Sequence, residues 1–375
     1  MSDTITNARP IIKSRIEVVN EVGDLITIDD AKRLVDYAVD QSLSVDKTPT
    51  ITFLGEHVIE NFDSFLKPII EHIKSFGCRY SVYVESSGVD LIDEQLAFMR
   101  RSSVQPVIKI DWALSDGHIT DEFIAGVENI VAYFPSVSAD FKLTPKTAGN
   151  LSNVVSILKE LGIYYYKVSP DYFVEWSELD IEILESQIEL IKKSTIDIFE
   201  DDDIPALFDD FAFMFRKIVA IIGEKQSCAE YRSIPMAMPC NRCGMGINGQ
   251  MLIASNGDFH SCLRCKNEEF IVGNINEGVF NDKLVTLLNE VNSCVAIGID
   301  CENCNLNRIC DGGCVVANFA VNCDVNKASI IYCRWMQMLH RAASDIIEHF
   351  DATQSNDLFR DYFYGMVKRG GYYGC

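Results

Sequence analysis

Short runs of alternating apolar residues give way along this chain to longer stretches whose apolar residues recur three and four positions apart, and the exchange repeats. Arg15–Asn20 predicts a strand, and Ile28–Asp40 a helix whose Asp29 and Asp30 suit its positive N-terminus. Thr50–Leu54 predicts the next strand and Phe62–Phe76 the next helix, stopped by Gly77. A strand at Tyr80–Val84, a helix at Asp93–Arg101, a strand at Pro106–Ile110 and a helix at Thr120–Tyr133 follow. A strand at Ala139–Leu143, a helix at Asn150–Leu161 ended by Gly162, and a strand at Ile163–Val168 complete the run. Six strands separated by five helices are successive βα units, which predict an α/β fold with a parallel sheet and right-handed crossovers. Six units are too few for a closed eight-unit barrel. An open or partial barrel and a doubly wound sheet both fit, and either holds its site at the C-terminal ends of the strands.

Beyond residue 168 the pattern turns helical. Ile181–Lys193 and Ile204–Ile222 predict helices around the acidic run Glu200–Asp203, which reads as a solvated turn, and Ile330–Phe350 predicts a long helix. The last residues, Asp357–Cys375, are rich in aromatics and glycine and read as a frayed end with a few packed tyrosines. Composition fits a globular chain: 375 residues, 48% hydrophobic and 23% charged. The formal net charge of −22 argues against a nucleic-acid backbone or an anionic membrane surface as partner, while admitting a basic peptide. Met1–Pro10 is polar and no window holds eighteen uninterrupted apolar residues, so neither a secretory signal nor a transmembrane helix is expected, and the expected location is the cytoplasm.

Cysteine usage changes the picture. Only Cys78 lies in the first 227 residues; the other thirteen of fourteen lie from Cys228 onward. In a cytosolic chain this points to metal or redox chemistry rather than disulfides. The densest stretch, Cys301, Cys304, Cys310 and Cys314, reads C-x2-C-x5-C-x3-C, with Gly312 and Gly313 before the last thiol. Short loops of this kind let thiolates converge on iron or zinc, and the glycines permit the tight backbone such a loop needs. A zinc-bound scaffold and a disulfide knot are the rival readings. Upstream lie Cys240, Cys243 and then Gly257 and Cys262, which extend the pattern as C-x13-G-x4-C; downstream lies Cys333.

With Gly273-Asn274-Ile275 between the two groups, this seven-cysteine pattern resembles the SPASM extension of radical S-adenosylmethionine proteins. The resemblance implies a partial (β/α)6 barrel followed by a small cysteine-rich SPASM domain, a C-terminal helix and two [4Fe–4S] clusters. Carried over, Cys262 and Cys314 ligate one cluster with Cys243 and Cys240, Cys265 being an alternative; Cys301, Cys304, Cys310 and Cys333 ligate the other. The crossing of Cys314 to the neighbouring cluster has a parallel in two-cluster ferredoxins. The implied divisions are a polar leader at 1–14, the barrel at 15–180, a helical linker at 181–227, the SPASM domain at 228–345 and a tail at 346–375.

The first half also resembles the radical SAM core. Leu54-Gly55-Glu56-His57 falls where the family has Gly-Gly-Glu-Pro, Ser86-Ser87-Gly88 where many members have Thr-Asn-Gly, and Thr144 to Asn150 near the later T-x-x-N turn. Gly55 and Glu56 are thus remnants of an S-adenosylmethionine site. The family's defining C-x3-C-x2-C is missing: its place holds Glu21-Val-Gly-Asp-Leu25, and no cysteine precedes Cys78. Leu263 stands where sulfatase-maturing relatives carry an aspartate after the cysteine, so no catalytic acid is carried over. The resemblance therefore implies a pseudo-radical-SAM protein without S-adenosylmethionine, an accessory that binds a ribosomally made precursor peptide, an active radical SAM enzyme, or both. An active maturase or a redox enzyme using its auxiliary clusters is the alternative.

Overall fold

A computed structural model describes residues 13–19, 23–55, 57–114, 119–225, 250–260, 268–279, 281, 301, 304–306, 309–310, 312–325, 327–353, 358–359 and 362. In chain order the elements are β1 (Lys13–Glu17), α1 (Ile28–Leu43), β2 (Thr50–Leu54), α2 (Lys67–Ser75), β3 (Ser81–Ser86), α3 (Asp93–Arg101), β4 (Val104–Lys109) and α4 (Asp121–Tyr133). They continue with β5 (Ser138–Leu143), α5 (Leu151–Glu160), β6 (Tyr165–Pro170), α6 (Glu178–Glu200), α7 (Asp209–Lys225), β7 (Gln250–Ile253), β8 (Asp258–His260), β9 (Ile271–Asn274), β10 (Gly278–Val279), α8 (Val315–Asn322) and α9 (Ile330–Thr353). Among the described residues no helix is long and apolar enough to cross a membrane. Contacts divide the chain into two units: Met1–Lys109, Asp121–Val137 and Cys243–Asn292 form the first, and Ile110–Thr120, Ser138–Arg242 and Ser293–Cys375 the second.

In the first unit β1 to β4 are parallel neighbours, joined by α1, α2 and α3 as the βα periodicity predicts. Ile16, Ile51, Phe53, Val82 and Val84 of the strands are buried, as are the apolar faces of α1 (Leu34, Val35, Ala38) and α2 (Ile69, Ile70, Ile73). Helix α1 starts where Thr27 accepts the Asp30 N–H at 3.1 Å, an N-cap in front of an acidic first turn. All six expected strands form, and the sheet continues beyond them. β7 pairs in parallel with the outer side of β1, Arg15 opposite Leu252, and β8, β9 and β10 follow it antiparallel, so the order is β10-β9-β8-β7-β1-β2-β3-β4. The run from Gln250 to Ile253 is only four residues long, and its partner strand lies more than two hundred residues earlier in sequence, so local alternation could not reveal it. The helix expected from Phe62 instead opens as one π turn, Phe62–Leu66, before α2.

α4 packs against the loop after β3 at van der Waals limit: a Cβ on Gly126 would lie 2.1 Å from the carbonyl oxygen of Gly88. Alanine there must push helix and loop apart. Gly126→Ala is expected to lower unfolding stability by about 1–3 kcal/mol, the usual range for overpacking, in chemical denaturation. A midpoint equal to that of the parent protein would contradict the close approach.

In the second unit β5 and β6 are parallel, from Ser138 opposite Tyr165 to Leu143 opposite Pro170. Helix α6 begins at a capping box in which Ser177 and Asp180 exchange hydrogen bonds, and it runs seven residues past the expected end at Lys193. The acidic run is a turn, as expected: Asp203 takes a hydrogen bond from Lys159 at 2.6 Å. The helix expected from Ile204 starts only at Asp209; Pro205 has no N–H to give, and residues 203–208 carry no regular structure. Trp335 of α9 is fully buried, stacked on Phe208 at 5.6 Å, and donates its indole N–H to Asp210 at 2.8 Å. Phe350, Phe359 and Tyr362 surround Phe199, and burial pushes the Tyr362 hydroxyl up to about 12, so this part of the C-terminal stretch is packed rather than frayed.

Candidate metal centre

Four of the expected ligands are described together in the second unit. Cys333 lies in the first turn of α9, where its N–H donates to the Ser329 carbonyl at 3.1 Å, and the Tyr332 N–H faces the Ser329 hydroxyl at 3.4 Å. Cys301 and Cys304 form a turn in which the Cys304 N–H donates to the Cys301 carbonyl at 3.3 Å. Buried Leu306 and Ile309 anchor the next turn; its Leu306 carbonyl accepts from Ile309 at 2.8 Å and from Cys310 at 2.7 Å. Two backbone donors face sulfur: the Leu306 N–H at 3.4 Å from Cys304 Sγ and the Gly312 N–H at 3.3 Å from Cys310 Sγ. Gly312 and Gly313 have φ of +80° and +90°, and a Cβ on Gly313 would sit 2.9 Å from Asn318 Oδ1 and 3.2 Å from the Tyr332 ring. Only glycine fits that step.

Electrostatics tie the four thiols together. Burial first, and then the neighbouring Cys310, Cys301 and Cys304, push the Cys333 thiol up to about 11. Without a cation the Cys333 thiol resists ionisation; a bound metal centre would reverse that preference, because the thiolate would then be its ligand. The donor set, soft sulfur with amide N–H groups aimed at it, fits an iron–sulfur centre. Among the described residues no three cysteine, histidine or carboxylate side chains are arranged to hold one metal ion.

The other expected set is only partly in view. Cys314 stands apart as the residue capping α8, its carbonyl accepting the Asn318 N–H at 2.8 Å. Cys240, Cys243, Cys262 and Cys265 lie outside the described residues. The scaffold that leads to Cys262 is described. Gly257 turns the β7–β8 hairpin with φ of +88°, and a Cβ there would meet Ile275 Cγ2 at 2.6 Å. The Ile275 N–H donates to the Gly257 carbonyl at 2.8 Å, and Asn274 Nδ2 donates to Asp258 at 2.8 Å. Glycine of the C-x13-G-x4-C spacing and the Gly273-Asn274-Ile275 triplet thus meet in one turn.

At the opposite end of the sequence, the described residues on either side of the place of the missing C-x3-C-x2-C bond to one another. Val19 and Leu25 form an antiparallel bridge and the Ile26 N–H donates to the Val18 carbonyl at 2.9 Å. Gly55 has φ of +128°, and the space a Cβ would fill is taken by Val19 Cγ2 at 2.6 Å. Glu56 lies outside the described residues, and His57 pairs with Glu60 at 2.7 Å on the surface. The Ser86-Ser87-Gly88 loop closes on Asp90, whose carboxylate accepts from the Ser86 hydroxyl at 2.5 Å and the Ser87 N–H at 3.2 Å. Sequence reasoning missed Asn318, whose amide reaches the glycine step; the available signal was one asparagine inside the otherwise apolar stretch Val315–Val321.

A scan of protein-family models found no match, and a comparison with curated protein sequences found none. Solved structures do match. One is anSMEcpe with bound AdoMet, at 12% identity over 96% of this chain and 98% of that one, with a TM-score of 0.64. The same protein with bound AdoMet and the Cp18Cys peptide aligns at 14% identity over 92% of this chain and 100% of that one, with a TM-score of 0.63. Streptococcus suis SuiB bound to S-adenosylmethionine aligns at 14% identity over 88% of this chain and 78% of that one, with a TM-score of 0.53. These neighbours are peptide-modifying enzymes of the radical SAM/SPASM class. The fold of this chain resembles that of radical SAM enzymes.

Proposed function

We propose that this chain is a SPASM-type iron–sulfur protein with a degenerate radical SAM core, acting as an accessory in the modification of ribosomally made peptides. The observation that carries the reading is selective: Cys301, Cys304, Cys310 and Cys333 lie close enough to influence one another, while the segment where the S-adenosylmethionine cluster would be held carries no cysteine. The Val19–Leu25 bridge and the Val19 side chain over Gly55 support the loss of that site. Cys301, Cys304, Cys310 and Cys333 would hold one [4Fe–4S] cluster; Cys314 and Cys262, with Cys243 and Cys240 or Cys265, would hold the second. When bound, such clusters supply electron transfer or a rigid staple. The chain's own part is to fix the thiols through the Leu306, Ser329 and Asn318 contacts and to aim N–H groups at two sulfurs.

The partner class follows by analogy with a neighbour solved with a peptide: a precursor peptide, bound alone or jointly with an active radical SAM enzyme. The test is anaerobic purification of the tagged chain from its own cells, with mass spectrometric identification of what co-elutes. A short ribosomal peptide, or an enzyme whose sequence carries C-x3-C-x2-C, is the expected companion. Recovery of neither, with the tagged chain intact and iron-loaded, sinks the proposal.

A further inference from the structure

On the reading that Cys301, Cys304, Cys310 and Cys333 hold an iron–sulfur cluster, we infer that Asn318 is a positioning residue that sets the reduction potential of that cluster through Gly312. Asn318 sits in the middle of α8, has no exposed surface, and its neighbours in the helix are apolar. Its amide nitrogen donates to two backbone carbonyls, Gly312 at 2.7 Å before the helix and Val325 at 3.1 Å after it. Its backbone N–H donates to the Cys314 carbonyl at 2.8 Å. Two acceptors fix which end of the amide is nitrogen. Oδ1 accepts nothing and lies against Gly313. A buried amide that uses its donors and leaves its oxygen unpaired is placed there by what the donors hold.

They hold the residue between two ligands. Gly312 comes two positions after Cys310 and two before Cys314, and its φ of +80° leaves it soft unless something fixes it. Asn318 grips the Gly312 carbonyl; the Gly312 N–H, at the other end of the same residue, faces Cys310 Sγ. An N–H aimed at a ligating sulfur stabilises the extra negative charge of the reduced cluster and raises its potential. Freeing the carbonyl lets Gly312 turn and weakens that hydrogen bond. Asn318 thereby acts on the cluster without touching it, which a stabilising contact alone would not do.

The experiment compares wild type, Asn318→Leu and Asn318→Gln after anaerobic reconstitution, by iron and sulfide analysis followed by an EPR-monitored redox titration. Asn318→Leu keeps the size and removes both donors; its cluster midpoint is expected to move to more negative potential at unchanged iron content. Asn318→Gln keeps an amide and is expected to fall between the two. An unchanged midpoint in Asn318→Leu overturns the inference. Should the leucine variant fail to fold, Asn318→Ala, which leaves room for water at the two carbonyls, is titrated instead, with the same shift expected and the same null result decisive. Iron is counted first on the wild type, and its absence there overturns the cluster reading rather than the role of Asn318.

Discussion

Serine in place of Cys333 is expected to remove one whole cluster and leave the other, so that about four of roughly eight iron atoms per chain are lost. The argument starts from where the thiol sits. Cys333 is carried by α9, whose other residues lock it in place: Trp335, two positions on, is fully buried and bonded to Asp210. The thiol itself is held protonated up to about 11, chiefly by burial and further by Cys310, Cys301 and Cys304. Such a group has no stable thiolate until a cation arrives, and serine has no accessible alkoxide to replace it. The same loss is expected for serine at Cys301, Cys304 or Cys310, since a cluster of this type draws on all four thiols. Cys323 is the control: it is exposed and only ends α8, with φ of +55°, so Cys323→Ser is expected to keep the full iron content. Iron, sulfide and zinc are measured on anaerobically reconstituted protein. Zinc in the wild type, or full iron retention in Cys333→Ser, would refute the assignment.

What the sequence made legible depended on how local each cause is. Helix α3 and strand β2 fall on their expected residues because each carries its own signals, an acidic first turn in one and alternation in the other. β1 ends earlier than expected, at Glu17, because Val18 and Val19 leave the strand to meet Ile26 and Leu25; that return is set by contacts six to eight residues away. β7 depends on pairing with β1 across most of the chain and left no readable trace. The thiol group was legible in another way. Cysteine spacing records which residues share a site, yet it says nothing of which backbone groups hold them. Asn318 and the Leu306 N–H could be found only once the loop around Cys304 and Cys310 had a shape. Gly257 shows both sides: its spacing marked it, and its reason, an Ile275 side chain where a Cβ would go, is tertiary.

Incubated with dithionite and S-adenosylmethionine, the iron-loaded protein is expected to form 5′-deoxyadenosine no faster than a protein-free control. Reductive cleavage needs a cluster with one iron left open to the amino and carboxylate groups of S-adenosylmethionine, and three thiolates on one loop are what leave it open. No cysteine precedes Cys78, and Cys78 lies at the start of the segment leading into β3, not after β1. The return between β1 and α1 is closed by the Val19–Leu25 bridge and by Ile26 bonding back to Val18. Val19 then covers Gly55, so the glycine that stands where the family holds the methionine amino group meets a valine methyl at a distance where even a Cβ would collide. On the proposed ligation, dithionite would reduce clusters on the cysteine-rich half, but each iron there would carry a protein thiolate and leave no open position at which cleavage could begin. The assay separates the readings cleanly when run beside the iron count: formation of 5′-deoxyadenosine stoichiometric with the chain, lost in Cys333→Ser, would mean that an auxiliary cluster has an open iron and that the protein is an enzyme in its own right. Background formation at full iron content is the outcome the proposed accessory role expects.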